Sequence, residues 1–137
     1  MAGIKNLNKL LKQMKPILIN KEYVFCSLSE ARFNSLLATC SHPLNPLLTF
    51  REKEGITLIM ERKTADANAL HYSDVWKMIT LSVHSDLSAI GFLAKITDKL
   101  SENKISVNVV SGYNHDHLFV HEGDADKTMK ILNELTK

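Results

Sequence analysis

The second half of the chain has the clearer pattern of apolar and polar residues, and this pattern predicts the order strand, helix, strand, strand, helix. Every second residue from Ile79 to Val83 is apolar, which is typical of a half-buried strand. A helix is predicted from about 91 to 102, because apolar residues recur there at helical spacing. Strands at 105–110 and 117–120 then flank a turn, and a last helix follows Gly123.

The helix from about 91 to 102 supplies much of the predicted core of this half. Leu93, Ile96 and Leu100 are assigned to its buried face. Asn103 follows the helix and suits a left-handed stop, since Asn tolerates that backbone conformation.

The first half repeats the same order of elements more faintly. A strand is predicted at 23–28, and Ser29 after it suits the cap of a helix. Two short strands at 47–50 and 56–60 are separated by a charged loop, so we expect a hairpin. Thr64 is then expected to cap a short helix.

Proline residues limit two further helices of the first half. Apolar residues at helical spacing predict an amphipathic helix over 4–14, which Pro16 ends. The helix after Ser29 is expected to end before His42 and Pro43. The segment 16–19 between the first helix and the next strand is a candidate for an additional edge strand.

These patterns predict an α+β protein with two ferredoxin-like modules, in which antiparallel sheets pack against helices. Each half has the order βαββα and lacks the closing strand of a βαββαβ unit. The halves are therefore expected to complete or share each other's sheets, with 16–19 as one candidate strand. The modules are predicted at 1–73, with the extra N-terminal helix, and at 74–137.

Composition and charge exclude several classes of function. Hydrophobic residues make up 45% and charged residues 23% of the chain, as in an ordinary globular protein. A net charge of +2, without a basic stretch interleaved with aromatic residues, argues against binding to nucleic acid. No apolar run approaches the ~18 residues of a membrane span. Cys26 and Cys40 fit free thiols, and we expect a cytoplasmic protein.

Catalytic motifs are missing from the sequence. There is no nucleophile-elbow, zincin or P-loop pattern. We therefore expect neither enzymatic activity nor a cofactor.

Several stretches resemble the ACT domain, a small βαββαβ module that binds amino acids in many metabolic regulators. They lie at 84–93 and 110–120 in the second half and at 49–58 in the first. Together they resemble a family of small bacterial proteins with two ACT-type domains and no established activity. The resemblance spans about 15–135 and implies the fold, but it names no ligand.

A more distant similarity connects the chain with the cytosolic arginine sensors, which are built from ACT-type units. The turn at 111–117 corresponds to a ligand-binding turn of the sensors, which implies roles for Asp116 as the carboxylate and Gly91 as the loop glycine. Gly112 departs from the sensor pattern because it has no hydroxyl, so arginine itself is not implied.

The chemistry of an amino acid gives independent support to these positions. Helix N-termini bind carboxylates through unpaired backbone N–H groups, and Gly91 at such a terminus allows close approach. Asp116 at the neighbouring strand would pair with the ammonium group. Alternatively, Asp116 only caps its own turn and Gly91 only permits close packing of helix on sheet. The candidate ligand-binding residues are Ile90, Gly91, Phe92, Ser111, Gly112, Tyr113 and Asp116.

A metal site is a weaker hypothesis. His115, His117 and His121 would point to one face of a strand. Neighbours two apart are separated by about 7 Å, so three of them converge poorly on one ion. We expect no metal.

The leading functional hypothesis is a regulatory or sensing protein that binds an amino acid at an interface between modules or subunits. Incomplete sheets leave edges that need cover, so a homodimer or higher homo-oligomer is expected. A dimerisation module without a small ligand and an accessory to amino-acid transport are the alternatives.

Overall fold

The computed structural model describes residues 3–39 and 43–137. Cys40 and His42 therefore lie outside the described residues. The chain divides into two compact units. The inserted unit is Lys21–Trp76, and the split unit is Met1–Asn20 together with Lys77–Lys137.

The helices and strands follow the order expected from the sequence, with an additional short strand near the N-terminus. In chain order they are α1 (Leu7–Gln13), β1 (Pro16–Leu18), β2 (Tyr23–Leu28), α2 (Glu30–Thr39), β3 (Leu48–Arg51), β4 (Ile56–Glu61), α3 (Arg62–Ala67), β5 (Trp76–Leu81), α4 (Phe92–Glu102), β6 (Val107–Ser111), β7 (Asp116–His121) and α5 (Ala125–Leu135). A single 3₁₀ turn, Glu122–Asp124, precedes α5.

The split unit completes its sheet with a strand from the N-terminal segment. Its strands lie in the order β1, β5, β7, β6. β1 is antiparallel to β5, with Pro16 opposite Leu81 and Leu18 opposite Ile79, and β6 is antiparallel to β7. The elements from β5 to α5 form βαββα, and β1 supplies the fourth strand. The additional strand expected at 16–19 is confirmed.

The core of the split unit lies between this sheet and the helices. Phe92, Ile96 and Leu100 of α4 are buried, with one turn between successive members. Leu93 packs against this core but is only partly buried, so the prediction that it is buried like Ile96 and Leu100 is wrong. Phe92 lies four residues before Ile96 and shares its face of the helix, and Leu93 lies beside that face. In α1, Leu10 is completely buried.

The inserted unit has the strand order β3, β4, β2. β2 pairs with β4 along its whole length, and β3 and β4 form the expected hairpin. Tyr23 also pairs with Trp76, the first residue of β5. α2 has no fully buried residue and packs through partly buried side chains such as Phe33 and Leu36.

The predicted caps at Thr64 and Asn103 are wrong. Thr64 lies inside α3, whose N-cap is Glu61 without a side-chain hydrogen bond. Asn103 has φ −96°, and the left-handed residue after α4 is Lys104 at φ 58°. The amide of Ile105 donates a hydrogen bond of 3.0 Å to the carbonyl oxygen of Leu100, so the chain turns one residue later than expected.

Among the described residues, no helix is long and apolar enough to cross a membrane.

Candidate functional site

A cavity of about 150 Å³ opens in the split unit beside the start of α4. It is bordered by the loop after β5, by the first turn of α4 and by the facing ends of β6 and β7. Four residues named from the sequence line it: Gly91, Phe92, Ser111 and Asp116. The fold thus brings the expected loop glycine and the expected carboxylate to one cavity.

The N-terminus of α4 presents backbone donors to this cavity. Gly91 is the N-cap residue, with φ 89° and ψ −9°, and no side chain among the described residues caps the helix. The first helical hydrogen bond runs from Lys95 N to Gly91 O, at 3.0 Å. The N–H groups of Phe92, Leu93 and Ala94 therefore have no partner within the helix, and the helix dipole favours negative charge near them.

Gly91 is required by its backbone conformation rather than by crowding. A φ of 89° is disfavoured for residues with a side chain. A Cβ at this position would meet only Leu7 Cδ2, at the ordinary contact distance of 3.7 Å. Close packing of helix on sheet is therefore not the reason for a glycine here.

Asp116 is the first residue of β7 and lies opposite Ser111. The prediction that it lies in the turn is therefore wrong. Its side chain is buried, with 6% of its surface exposed. Ser85 Oγ donates a hydrogen bond of 2.9 Å to Asp116 Oδ2. The carboxylate is thus held by a residue of the loop after β5, and this bond is not a local cap of its own turn.

A second carboxylate, Asp86, lines the same cavity. Its Oδ1 accepts a hydrogen bond of 2.8 Å from the amide of Ser88. This bond, with the positive charge of Lys5 nearby, lowers the pKa of Asp86 below its ordinary value. The lining of the cavity therefore contains two carboxylate side chains as well as the positive end of α4.

Three of the residues named from the sequence do not line the cavity. Ile90 and Tyr113 point to solvent, with exposed fractions of 86% and 70%. Gly112 belongs to the turn between β6 and β7, where its amide bonds the carbonyl of His115 at 2.9 Å. Sequence reasoning missed Ser85 and Asp86. Their only signal was their place in the stretch that resembles an ACT domain.

The histidines of the split unit make separate contacts. His117 Nδ1 lies 3.0 Å from Thr80 Oγ1, and His115 Nδ1 lies 3.3 Å from the carbonyl oxygen of Val83. Burial, with a smaller effect of His115, lowers the pKa of His117, and Asp116 acts in the opposite direction. Within residues 3–39 and 43–137, no group of three His, Cys, Asp or Glu side chains is arranged to hold a metal ion.

Comparison with protein families decides the assignment. One model of the ACT domain matches residues 2–77, and a second matches residues 73–134. The chain belongs to the ACT domain family. It contains two ACT modules in tandem, which confirms the expected ferredoxin-like α+β fold. ACT domains are regulatory modules, so membership supports a regulatory, amino-acid-sensing role in general terms.

Solved structures show how far the ACT architecture extends. A protein of unknown function from Vibrio cholerae, described as a possible transport protein, is 40% identical, with 99% of this chain and 100% of that chain covered and a TM-score of 0.83. The regulatory subunit of aspartate kinase from Thermus flavus has 6% identity, complete coverage of both chains and a TM-score of 0.64.

Aspartokinase III from E. coli, in complex with aspartate and ADP, has 16% identity and a TM-score of 0.61, with 88% of this chain and 32% of that chain covered. At such identities the two kinase proteins share the fold alone. No curated protein matches the sequence significantly.

Proposed function

We propose that this ACT protein binds a small α-amino acid in the cavity of the split unit and acts as a regulatory module without catalysis of its own. The observation that supports this most directly is the presence of two complementary features in the lining of one cavity. The buried carboxylate of Asp116 and the uncapped N-terminus of α4 both line it.

The two charged groups of an amino acid match these two features. Its carboxylate would accept hydrogen bonds from the free N–H groups of Phe92 and Leu93. Its ammonium group would donate to Asp116 Oδ1, because Oδ2 already accepts from Ser85. A hydrogen bond to a charged group contributes about 1.5–3 kcal/mol, so two or three such bonds give measurable affinity.

The size and charge of the cavity limit the ligand further. A cavity of about 150 Å³ is comparable with one that holds a benzene molecule in an engineered protein, so the enclosed part of the ligand is small. Two carboxylate side chains, Asp86 and Asp116, line the cavity. A second carboxylate on the ligand would be repelled, and neutral amino acids should bind better than aspartate or glutamate.

The test begins with the thermal shift of the full chain in each of the twenty common amino acids. Calorimetric titration of the one with the largest shift then compares wild type with Asp116→Asn. We expect this substitution to weaken binding by about 1.5–3 kcal/mol, since it keeps the shape and removes the charge. Asp98→Asn is the matched control, because Asp98 is exposed on α4. Equal affinity of wild type and Asp116→Asn, or no response to any amino acid, would contradict the proposal.

A second candidate function is contact with another protein chain. Three large apolar side chains in the segments that flank the cavity, Leu87, Ile90 and Tyr113, are 66%, 86% and 70% exposed. Such exposure favours an interface, and a homodimer is the simplest occupant. Light scattering would separate a dimer from the 15.4 kDa monomer. A dimer that forms without any amino acid, in a protein that binds none, would favour this function over the first.

A further inference from the structure

The N-terminal strap, which we define as Gly3–Lys5, is paired with the loop that forms one side of the cavity. Ile4 N donates a hydrogen bond of 2.8 Å to the carbonyl oxygen of His84. The amide of Asp86 donates a bond of 3.0 Å to the carbonyl oxygen of Ile4. Ile4 and Ser85 thus form an isolated parallel bridge, and both neighbours of Ser85 are fixed by the same residue.

The strap packs tightly against this loop. A Cβ at Gly3 would lie 2.5 Å from Asp86 N and 2.7 Å from the carbonyl carbon of Ser85. Both are backbone atoms, which cannot move aside as a flexible side chain can. Any residue other than glycine at this position must therefore displace the strap or the loop.

Ser85 connects the strap with the cavity. Its side chain is 8% exposed, and its hydroxyl holds one oxygen of Asp116 at 2.9 Å. The position of that hydroxyl depends on the backbone of Ser85, which the strap fixes on both sides. The orientation of Asp116, and with it the direction of its second oxygen, therefore depends on the strap.

We propose that the strap is a positioning part of the amino-acid site: it fixes Ser85, Ser85 orients Asp116, and docking of the strap is coupled to occupancy of the cavity. This inference rests on the proposed function and adds a regulatory element to it. Coupling of this kind is reciprocal, so a bound amino acid must hold the strap more firmly against the loop. An event that pulls the N-terminal segment away would release the amino acid.

The direct test compares two glycine substitutions in the full chain. Gly3→Ala introduces the clash with Asp86 and Ser85, whereas Gly123→Ala is the matched control, since a Cβ at Gly123 would meet nothing within 4 Å. Each variant is titrated by calorimetry with the twenty common amino acids, added one at a time. We expect Gly3→Ala to weaken binding about tenfold, the loss of one charged hydrogen bond, and Gly123→Ala to match wild type.

A double-mutant cycle separates positioning from general destabilisation. If the strap acts through Ser85, Ser85→Ala weakens binding, and Gly3→Ala in the Ser85→Ala background weakens it no further. Additive losses would show that the strap acts by another route and would overturn the proposal. So would equal affinity of Gly3→Ala and Gly123→Ala, although the proposed function would then stand.

If Gly3→Ala does not fold, hydrogen exchange of the wild-type protein provides the test. With a bound amino acid, the amides of Ile4 and Asp86 should exchange more slowly, because both are donors in the bridge. If exchange at both amides is unchanged in protein saturated with the amino acid, the coupling between strap and cavity is overturned, and the other parts of the proposal are not. If wild type binds none of the twenty amino acids, the proposed function fails, and the positioning role fails with it.

Discussion

The two ACT units of this chain connect their first strand and first helix in opposite ways. In the inserted unit only Ser29 separates β2 from α2, and its hydroxyl accepts a hydrogen bond of 3.2 Å from the amide of Arg32. In the split unit the long segment 82–91 joins β5 to α4, and no described side chain caps the helix. One helix N-terminus is satisfied locally, and the other is left available to a ligand.

The hairpin turns extend this difference. A Cβ at Gly55, in the β3–β4 turn, would lie 2.6 Å from the carbonyl oxygen of Leu28, so this turn packs directly on the end of β2. Arg51 at the end of β3 and Glu30 at the start of α2 also form an ion pair. The equivalent region of the split unit contains the cavity and Asp116. The two units share the βαββ order, but this region is packed in the inserted unit and contains a cavity in the split unit.

The largest expected effect contrasts the helices that follow these connections. Leu100 of α4 is completely buried, and Leu100→Ala should lower the free energy of unfolding by about 2–5 kcal/mol, because it leaves a cavity in the core. Leu37 of α2 is 59% exposed, and Leu37→Ala should change it by less than about 0.5 kcal/mol. Urea denaturation measures both. Equal losses would show that α2 is as deeply packed as α4.

An intermediate effect is expected at Gly55. Gly55→Ala should destabilise the protein by about 1–3 kcal/mol, because the added methyl group meets the backbone oxygen of Leu28. The same substitution at Gly123, where space is open, is the control. Amino-acid affinity should stay unchanged in both variants. A loss at Gly55 no larger than at Gly123 would mean that this region of the inserted unit is not closed.

Much of this fold could be predicted because strands leave a local signal. Residues 23–28 contain aromatic and branched side chains, and β2 has those bounds. The extra strand at 16–18 was visible as a short apolar segment between a helix and the next strand. The errors at Thr64 and Asn103 concern helix ends. Several neighbouring residues compete there for one capping position, and the backbone geometry determines which of them takes it.

The candidate site was predictable only in part, because its contacts are not local. Gly91 and Asp116 could be named from the ACT resemblance and from the chemistry of an amino acid. Ser85 could not, since its bond to Asp116 joins the loop after β5 to the start of β7, which only the folded sheet brings together. Ile4 has an even weaker signal. Its apolar side chain suggested a helix face, whereas its backbone pairs with the loop beside the cavity.

The smallest expected effect is a pH dependence of stability that comes from the split unit. Burial lowers the pKa of His117 there. Between the lowered pKa and the unfolded value of about 6.5, the unfolded chain binds more protons than the folded chain, so stability falls as the pH falls through this window. His117→Gln keeps a polar partner for Thr80 and cannot titrate, so it should flatten this dependence. Urea denaturation at several pH values in this window measures the slope, and an unaltered slope in His117→Gln would assign the dependence to other groups.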